Sequence, residues 1–263
     1  MPQSCKIGAI YLLEEGFKAM RITFLGTGAA DWKTPAENGE FRRFTSTLVD
    51  TSLLLDVTPA PLALLPADSR VQDVFITHSH RDHFSPEALA SLAPCRVYIH
   101  ESWAGEVCLP GVTVIPLRVG EWVSIPTGYR VLPLPANHST SRPYETPLHY
   151  LIEKDGTRLL YATDGAWMLN RAHHLLADVR LDAAVFDATI GDGFPGDYRV
   201  FEHNSLDMVR LMHKTLVKTG RLAQDTPVFL THLARTLHPD QRTLEASLQP
   251  PFVPCYDGFE ANI

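Results

Sequence analysis

The run Thr77-His78-Ser79-His80-Arg81-Asp82-His83 puts three imidazoles and one carboxylate within six consecutive positions, directly after the apolar run Val74-Phe75-Ile76. Histidine is the commonest protein ligand for transition metals, and carboxylate frequently completes the set. His78 and His80 lie two apart, so in extended chain they point to the same side. Asp82 and His83 follow where the chain must turn. One ion could take the first pair and a neighbouring ion the second. Two ions about 3.5–4 Å apart need further ligands, one of them bridging, and they lower the pKa of bound water from 15.7 towards about 7. A hydroxide so formed is the nucleophile of a hydrolase.

Three later residues of metal-binding type each end an apolar run. His138 follows Val131-Leu132-Pro133-Leu134-Pro135-Ala136-Asn137, Asp164 follows Leu159-Leu160-Tyr161-Ala162-Thr163, and His232 follows Pro227-Val228-Phe229-Leu230-Thr231. The recurrence predicts strands that deliver ligands to one edge of a layered fold.

The elements that must position them follow from periodicity and breakers. Strands are expected at Arg21 to Leu25, Thr45 to Val49, Leu53 to Val57, Val74 to Thr77, Arg96 to Ile99, Val112 to Leu117, Trp122 to Ile125, Arg130 to Leu134 and Ala183 to Phe186. Val228 to Thr231 and Phe252 to Tyr256 complete the set, the latter as a last strand. Lys154-Asp155-Gly156-Thr157 joins Leu148–Glu153 to Leu159–Thr163 as a hairpin. Helices are expected at Pro59 to Leu65, Trp167 to Ala177, Asn204 to Thr219 and Pro239 to Leu248. Another opens at Pro86, with Ser85 as its N-cap, and runs through Leu92. Gly26-Thr27-Gly28 reads as a tight turn, lacking the third glycine and following helix of a dinucleotide loop. Strands in hairpins with helices at intervals predict two mixed sheets with helices outside, an α/β four-layer sandwich.

The chain has 263 residues, and 30 acidic against 23 basic side chains give a net charge of −7. That balance disfavours a nucleic-acid partner held by its phosphates. No apolar run is long enough to span a bilayer. Cys5, Cys95, Cys108 and Cys255 are scattered, which predicts reduced thiols in a cytoplasmic protein. Residues 1–19 read as an N-terminal extension, an extra helix or a start assigned too far upstream, before a single hydrolase domain over residues 20–263.

THSHRDH resembles the H-x-H-x-D-H signature of the metallo-β-lactamase superfamily, and His138, Asp164 and His232 fall in that superfamily's order. The resemblance runs from about Arg21 to the C-terminus. It implies an αββα sandwich with two divalent ions at its edge, His78, His80 and His138 holding one, Asp82, His83 and His232 the other, and Asp164 bridging. Thr23-Phe24-Leu25-Gly26-Thr27-Gly28 also resembles members that cleave phosphodiesters, ribonuclease Z among them. Phe41-Arg42-Arg43, Leu134–Ser139, His203–Asp207 and Tyr256–Glu260 are more similar to the cyclic phosphate phosphodiesterases of carbon–phosphorus lyase pathways. That subfamily carries an accessory zinc bound by cysteines and a histidine. Asp31 to Glu40 has no cysteine, and Arg235 stands near the histidine's place, so the accessory zinc is not expected here.

The resemblance implies a phosphodiesterase acting on a small phosphate ester, cyclic ribose phosphates among the candidates, through a metal-bridging hydroxide. Asp82 would aim the nucleophile, and His203 would donate the leaving group's proton. Zinc, manganese or iron all suit nitrogen and oxygen ligands. A lactonase, a thioester hydrolase, a ribonuclease Z-like enzyme and a non-catalytic metal protein remain alternatives, and a homodimer is compatible with the sequence. His203 could equally be a plain helix-start residue, Asp56 a brace for a ligand histidine or a solvated strand end, and Arg42 and Arg43 phosphate contacts or a solvated pair. Trp103, Trp122 and Trp167 are expected in the core or a pocket wall. His100, His149, His173, His174, His213 and His238 are assigned to structure or surface.

Overall fold

The computed structural model describes residues 20–263, and the expected extension over residues 1–19 lies outside the described residues. The first half of the chain supplies β1 (Arg21–Gly26), β2 (Ser46–Val49), β3 (Leu53–Leu55), α1 (Pro59–Leu62), β4 (Asp73–Phe75), α2 (Pro86–Ser91), β5 (Cys95–His100), α3 (Glu101–Ala104) and β6 (Val112–Leu117). The second half supplies β7 (Val123–Ser124), β8 (Arg130–Pro135), β9 (Leu148–Lys154), β10 (Thr157–Ala162), α4 (Asn170–Leu175), β11 (Ala183–Asp187), a 3-10 turn at Tyr198–Phe201, α5 (Leu206–Lys218), β12 (Val228–Thr231), α6 (Gln241–Ser247), β13 (Phe252–Pro254) and β14 (Phe259–Asn262).

The strands form two seven-stranded sheets, in the orders β14-β1-β2-β3-β4-β5-β6 and β13-β12-β11-β10-β9-β8-β7. Each sheet is antiparallel on one side and parallel on the other. Alternation along each strand sorts its residues between two cores, because successive side chains leave a strand on opposite faces. Phe75, Tyr161, Val185 and Phe229 meet between the sheets, whereas their neighbours Val74, Leu160, Phe186 and Leu230 face outward. Helices cover those outer faces. Leu206, Val209, Met212 and Leu216 of α5 pack over the second sheet, and Leu89 of α2 packs over the first. The result is the expected αββα sandwich. Strands buried on both faces are mostly apolar, which is why β4, β11 and β12, with one polar residue each, stand out in the sequence.

β3 runs parallel to β4, and β11 and β12 run parallel to β10. β8 shares the direction of β10 because β9 is antiparallel to both. The C-terminal ends of these strands meet at one edge, where Leu148 N–H donates to Thr77 O at 2.8 Å across the two sheets.

Several expectations change. The helix expected from Trp167 starts only at Asn170, because Trp167 has a left-handed backbone (φ 59°) and its N–H donates to Asn204 Oδ1 at 2.8 Å. Asn204 is thereby kept out of α5, which Ser205 caps by accepting Met208 N–H. The chain ends in β14, not at Tyr256. Its half-exposed alternation is a weak signal alone, and pairing of Arg21 with Asn262 defines it. Trp103 is buried, but Trp122 and Trp167 are 39% and 43% exposed. Gly26 and Gly28 do not need a glycine-only backbone angle. They are small because the chain packs against them: a Cβ on Gly26 would sit 1.9 Å from Phe44 O.

Candidate metal centre

His78 and His80 leave the end of β4, and His138 follows β8 from the opposite sheet. Their ring nitrogens converge: His78 Nε2 lies 2.9 Å from His80 Nδ1, which lies 3.2 Å from His138 Nε2. The next turn of the same loop brings Asp82 and His83 against His232, with Asp82 Oδ2 at 3.6 Å from His83 Nε2 and 3.5 Å from His232 Nε2. Asp164, after β10, stands between the two groups. Its Oδ2 is 3.8 Å from both His78 Nε2 and His138 Nε2, and its Oδ1 is 3.3 Å from His83 Nε2 and 3.2 Å from His232 Nε2. All seven residues singled out in the sequence are therefore brought together.

The donor set suits two cations. Three ring nitrogens that face one another cannot all be satisfied by sharing protons, and His83 Nε2 and Asp164 Oδ1 are buried with no hydrogen-bond partner. Buried polar atoms are almost always paired, so orphans of this kind mark a missing partner. His78, His80 and His138 form one set and Asp82, His83, Asp164 and His232 another, each with its donor atoms within 4.8 Å, and with Asp164 Oδ2 3.8 Å from the first set the two could hold two divalent ions.

The charges are tuned by burial and by each other. Burial opposes the charge on His83, but Asp164, Asp56 and Asp82 hold its pKa well above the ordinary value. Burial also opposes ionisation of Asp164, yet His232 and His83 hold it well below the usual carboxylate range. Asp82 behaves alike and falls to about 2 against the cost of burial, through His83 and His232. Burial pushes the His78 pKa well down, with His83 adding repulsion. These carboxylates are ionised at neutral pH, as metal ligands must be.

Around this set lies a braced shell. Asp56 is fully buried and bonds His83 Nδ1 at 2.7 Å, while accepting Thr77 N–H at 2.8 Å. Of the two readings left open for Asp56, the brace is the one observed. His232 Nδ1 meets Thr189 Oγ1 at 2.8 Å, and Thr189 in turn donates to Asp187 Oδ1. The other oxygen of Asp187 holds His203 Nδ1 at 2.8 Å and accepts Gly165 N–H. His203 lies 5.1 Å from the rings of both His138 and His232. Burial would depress its pKa, but Asp187 raises it to about 9. Asp56, Asp164 and His232 all adopt left-handed backbones (φ 58°, 49° and 57°), a conformation that Asp and His tolerate better than most residues. It turns each side chain inward just past its strand.

Sequence reasoning missed Asp187 and Thr189, although Asp187 ends an apolar strand like Asp164 and could have been found by the same signal. Arg42 and Arg43 are neither phosphate contacts at this centre nor a solvated pair. Arg42 is 3% exposed and bonds Thr27 Oγ1, Cys255 O, Glu40 and Gln241. Arg43 N–H donates to Asp257 Oδ2 at 2.6 Å. Both tie the opening loop to the C-terminal segment. Asp31 accepts Arg235 N–H at 2.8 Å, tying the opening loop to the segment after β12. The centre opens into a cavity of about 350 Å³ whose outer wall includes Asp31, Tyr198, Arg199, Glu202 and Thr236.

Residues 45–233 match the family model described as the Beta-lactamase superfamily domain, and the chain belongs to that family. The family fold is that of metal-dependent hydrolases with a two-metal site. Among solved structures, a diphosphatase from the PhnP family is similar over 93% of this chain and 97% of its own, at 17% identity and a TM-score of 0.69. Zinc-bound PqqB from Methylobacterium extorquens matches over 93% and 100%, at 17% identity and a TM-score of 0.69. The short form of human tRNase Z matches over 92% and 98%, at 17% identity and a TM-score of 0.64. At such identities the likeness establishes the fold alone. Comparison with curated protein sequences gives no match.

Proposed function

We propose that the chain is a two-metal phosphodiesterase acting on a small phosphate ester, with a cyclic ribose phosphate as the form its sequence resembles. One observation carries this reading: Asp164 offers one oxygen to each of two imidazole-rich sets, and beside them stands an imidazole, His203, that belongs to neither set of expected ligands. His78, His80 and His138 would hold one ion, Asp82, His83 and His232 the other, and Asp164 both. Divalent ions bound there would acidify a water and neutralise charge on the phosphoryl oxygens.

The remaining steps fall to the protein's own groups. Asp82 lines the cavity as a carboxylate that takes the proton of the attacking water. His203, kept protonated by Asp187, gives a proton to the departing oxygen, and Asp187 steadies the ring through Nδ1 so that the opposite nitrogen is the donor. Arg199 also lines the cavity. Its Nε is tied to Asp197 at 3.1 Å, and its terminal nitrogens make no hydrogen bond among the described residues, which suits them to a second anionic group of the substrate. Exposed Tyr198 offers a ring face at the same rim. A cavity of this size and a net charge of −7 favour a small ester over folded RNA.

Bis(p-nitrophenyl) phosphate with added Zn²⁺ or Mn²⁺ tests the reading. Turnover that is lost with a chelator and restored by the ion is expected. Protein shown to hold two ions yet inert on phosphodiesters, but active on lactones or thioesters, would move the function to that chemistry.

A further inference from the structure

We infer that Glu145 is a positioning residue that locks together the two chain segments carrying the three imidazoles of one ion site, an inference that rests on the two-metal reading above. Its side chain is fully buried, yet it is not an expected ligand. One carboxylate oxygen accepts Ser79 N–H at 2.7 Å. The other accepts the Ser79 hydroxyl and, at 2.8 Å, the Thr140 hydroxyl. Ser79 stands between His78 and His80 on the loop after β4. Thr140 stands two residues beyond His138 on the loop after β8. One carboxylate thus bridges the first sheet to the second where the three rings meet.

The rings themselves show why a clamp is needed. His78, His83, His138 and His232 each have their second nitrogen held, by Thr77 Oγ1, Asp56, Glu202 O and Thr189 Oγ1 in turn. His80 points Nδ1 at the other two rings, and its Nε2 meets no protein group among the described residues. Unlike the other four, this ring has no protein partner on its second nitrogen among the described residues, and the neighbouring backbone N–H is the one Glu145 grips. The one cation beside Glu145 among the described residues is held at long range and shared. Arg142 Nη1 stays 4.0 Å away, and its Nε bonds Glu106 at 3.0 Å. Glu106 also accepts Tyr144 Oη, and Ser102 Oγ accepts Thr146 N–H, so the loop bearing Glu145 is itself fastened to the α3 end of the first sheet. The second ion set is braced separately, through Asp56 and through Thr189 with Asp187. Loss of Glu145 should therefore loosen one ion and spare the other.

The test is competition titration of metal-free protein with Zn²⁺ and with Co²⁺ against a chromophoric chelator, with the Co²⁺ visible spectrum as a second readout. Wild type should take up two ions. Glu145→Ala should lose about 10–100-fold in affinity for one ion, as removal of an orienting partner typically does, with the other held within about threefold. The Co²⁺ bands of the weakened site should shift. Glu145→Gln, which keeps an acceptor for Ser79 N–H, should restore most of the affinity. Thr140→Val, a mild change that keeps the fold if Glu145→Ala does not, should weaken the same ion several-fold. Both ions unchanged, or both weakened equally, in the folded variants would overturn the clamp. A wild type that binds no ion would instead overturn the two-metal reading, so the two failures are distinct.

Discussion

Removing the His203 ring should cost most where the departing group most needs a proton. The ring is bonded to Asp187 at 2.8 Å, and Asp187 is itself fixed by Thr189 and Gly165 N–H, so the donor is pre-oriented. Its pKa of about 9 keeps it protonated at neutral pH. Two divalent ions at the centre would draw that value down, and a fall of about two units would still leave roughly half of the rings charged at pH 7. A positioned acid contributes about 10²–10⁴ in rate, or roughly 3–5 kcal/mol of barrier. His203→Ala should therefore lower kcat by about 10²–10⁴ on esters with an alkyl or unsubstituted phenyl leaving group. With p-nitrophenolate, which departs unaided, the loss should be about tenfold or less. The assay is steady-state kinetics across a leaving-group series, on protein shown to retain two ions. A steeper dependence of log kcat on leaving-group basicity is the expected signature. An equal loss for every leaving group would refute proton donation and reduce His203 to a spacer.

Asp56→Ala should lower the unfolding free energy by about 3–5 kcal/mol, because His83 and Thr77 N–H are left buried without their partner; urea denaturation measures it, and a change under 1 kcal/mol would contradict the assigned burial. Arg199→Ala should raise KM about tenfold with kcat within twofold if its free guanidinium nitrogens bind a remote anionic group, and equal falls in kcat and kcat/KM would argue instead for a role in the chemical step. Burial lowers the pKa of His149 to about 4, below its ordinary 6.5. The folded state then binds fewer protons than the unfolded one between those values, so stability is lost as pH falls from 6.5 towards 4. Metal-free wild type should lose about 2 kcal/mol between pH 7 and pH 5 through this ring, and His149→Gln should flatten that part of the profile. An unchanged slope would sink the assignment.

The sequence by itself determined which residue types arrive at the centre. Spacing within residues 77–83 is a local matter, because a strand end and the turn after it fix side-chain direction over a few residues. Apolar runs ending in His138, Asp164 and His232 were equally legible, since a strand buried on both faces cannot hide its pattern. The brace on His83, the Thr189–Asp187–His203 chain, the burial of Arg42 and the grip of Glu145 on Ser79 were decided only by tertiary structure. They depend on contacts between separate segments, 213 positions apart in the case of Arg42 and Cys255, 66 for Glu145 and Ser79 and 43 for His232 and Thr189. Periodicity says which face a side chain leaves from, but what it meets there depends on how two sheets close on each other. The same limit hid β14, whose alternation is weak until β1 supplies its partner.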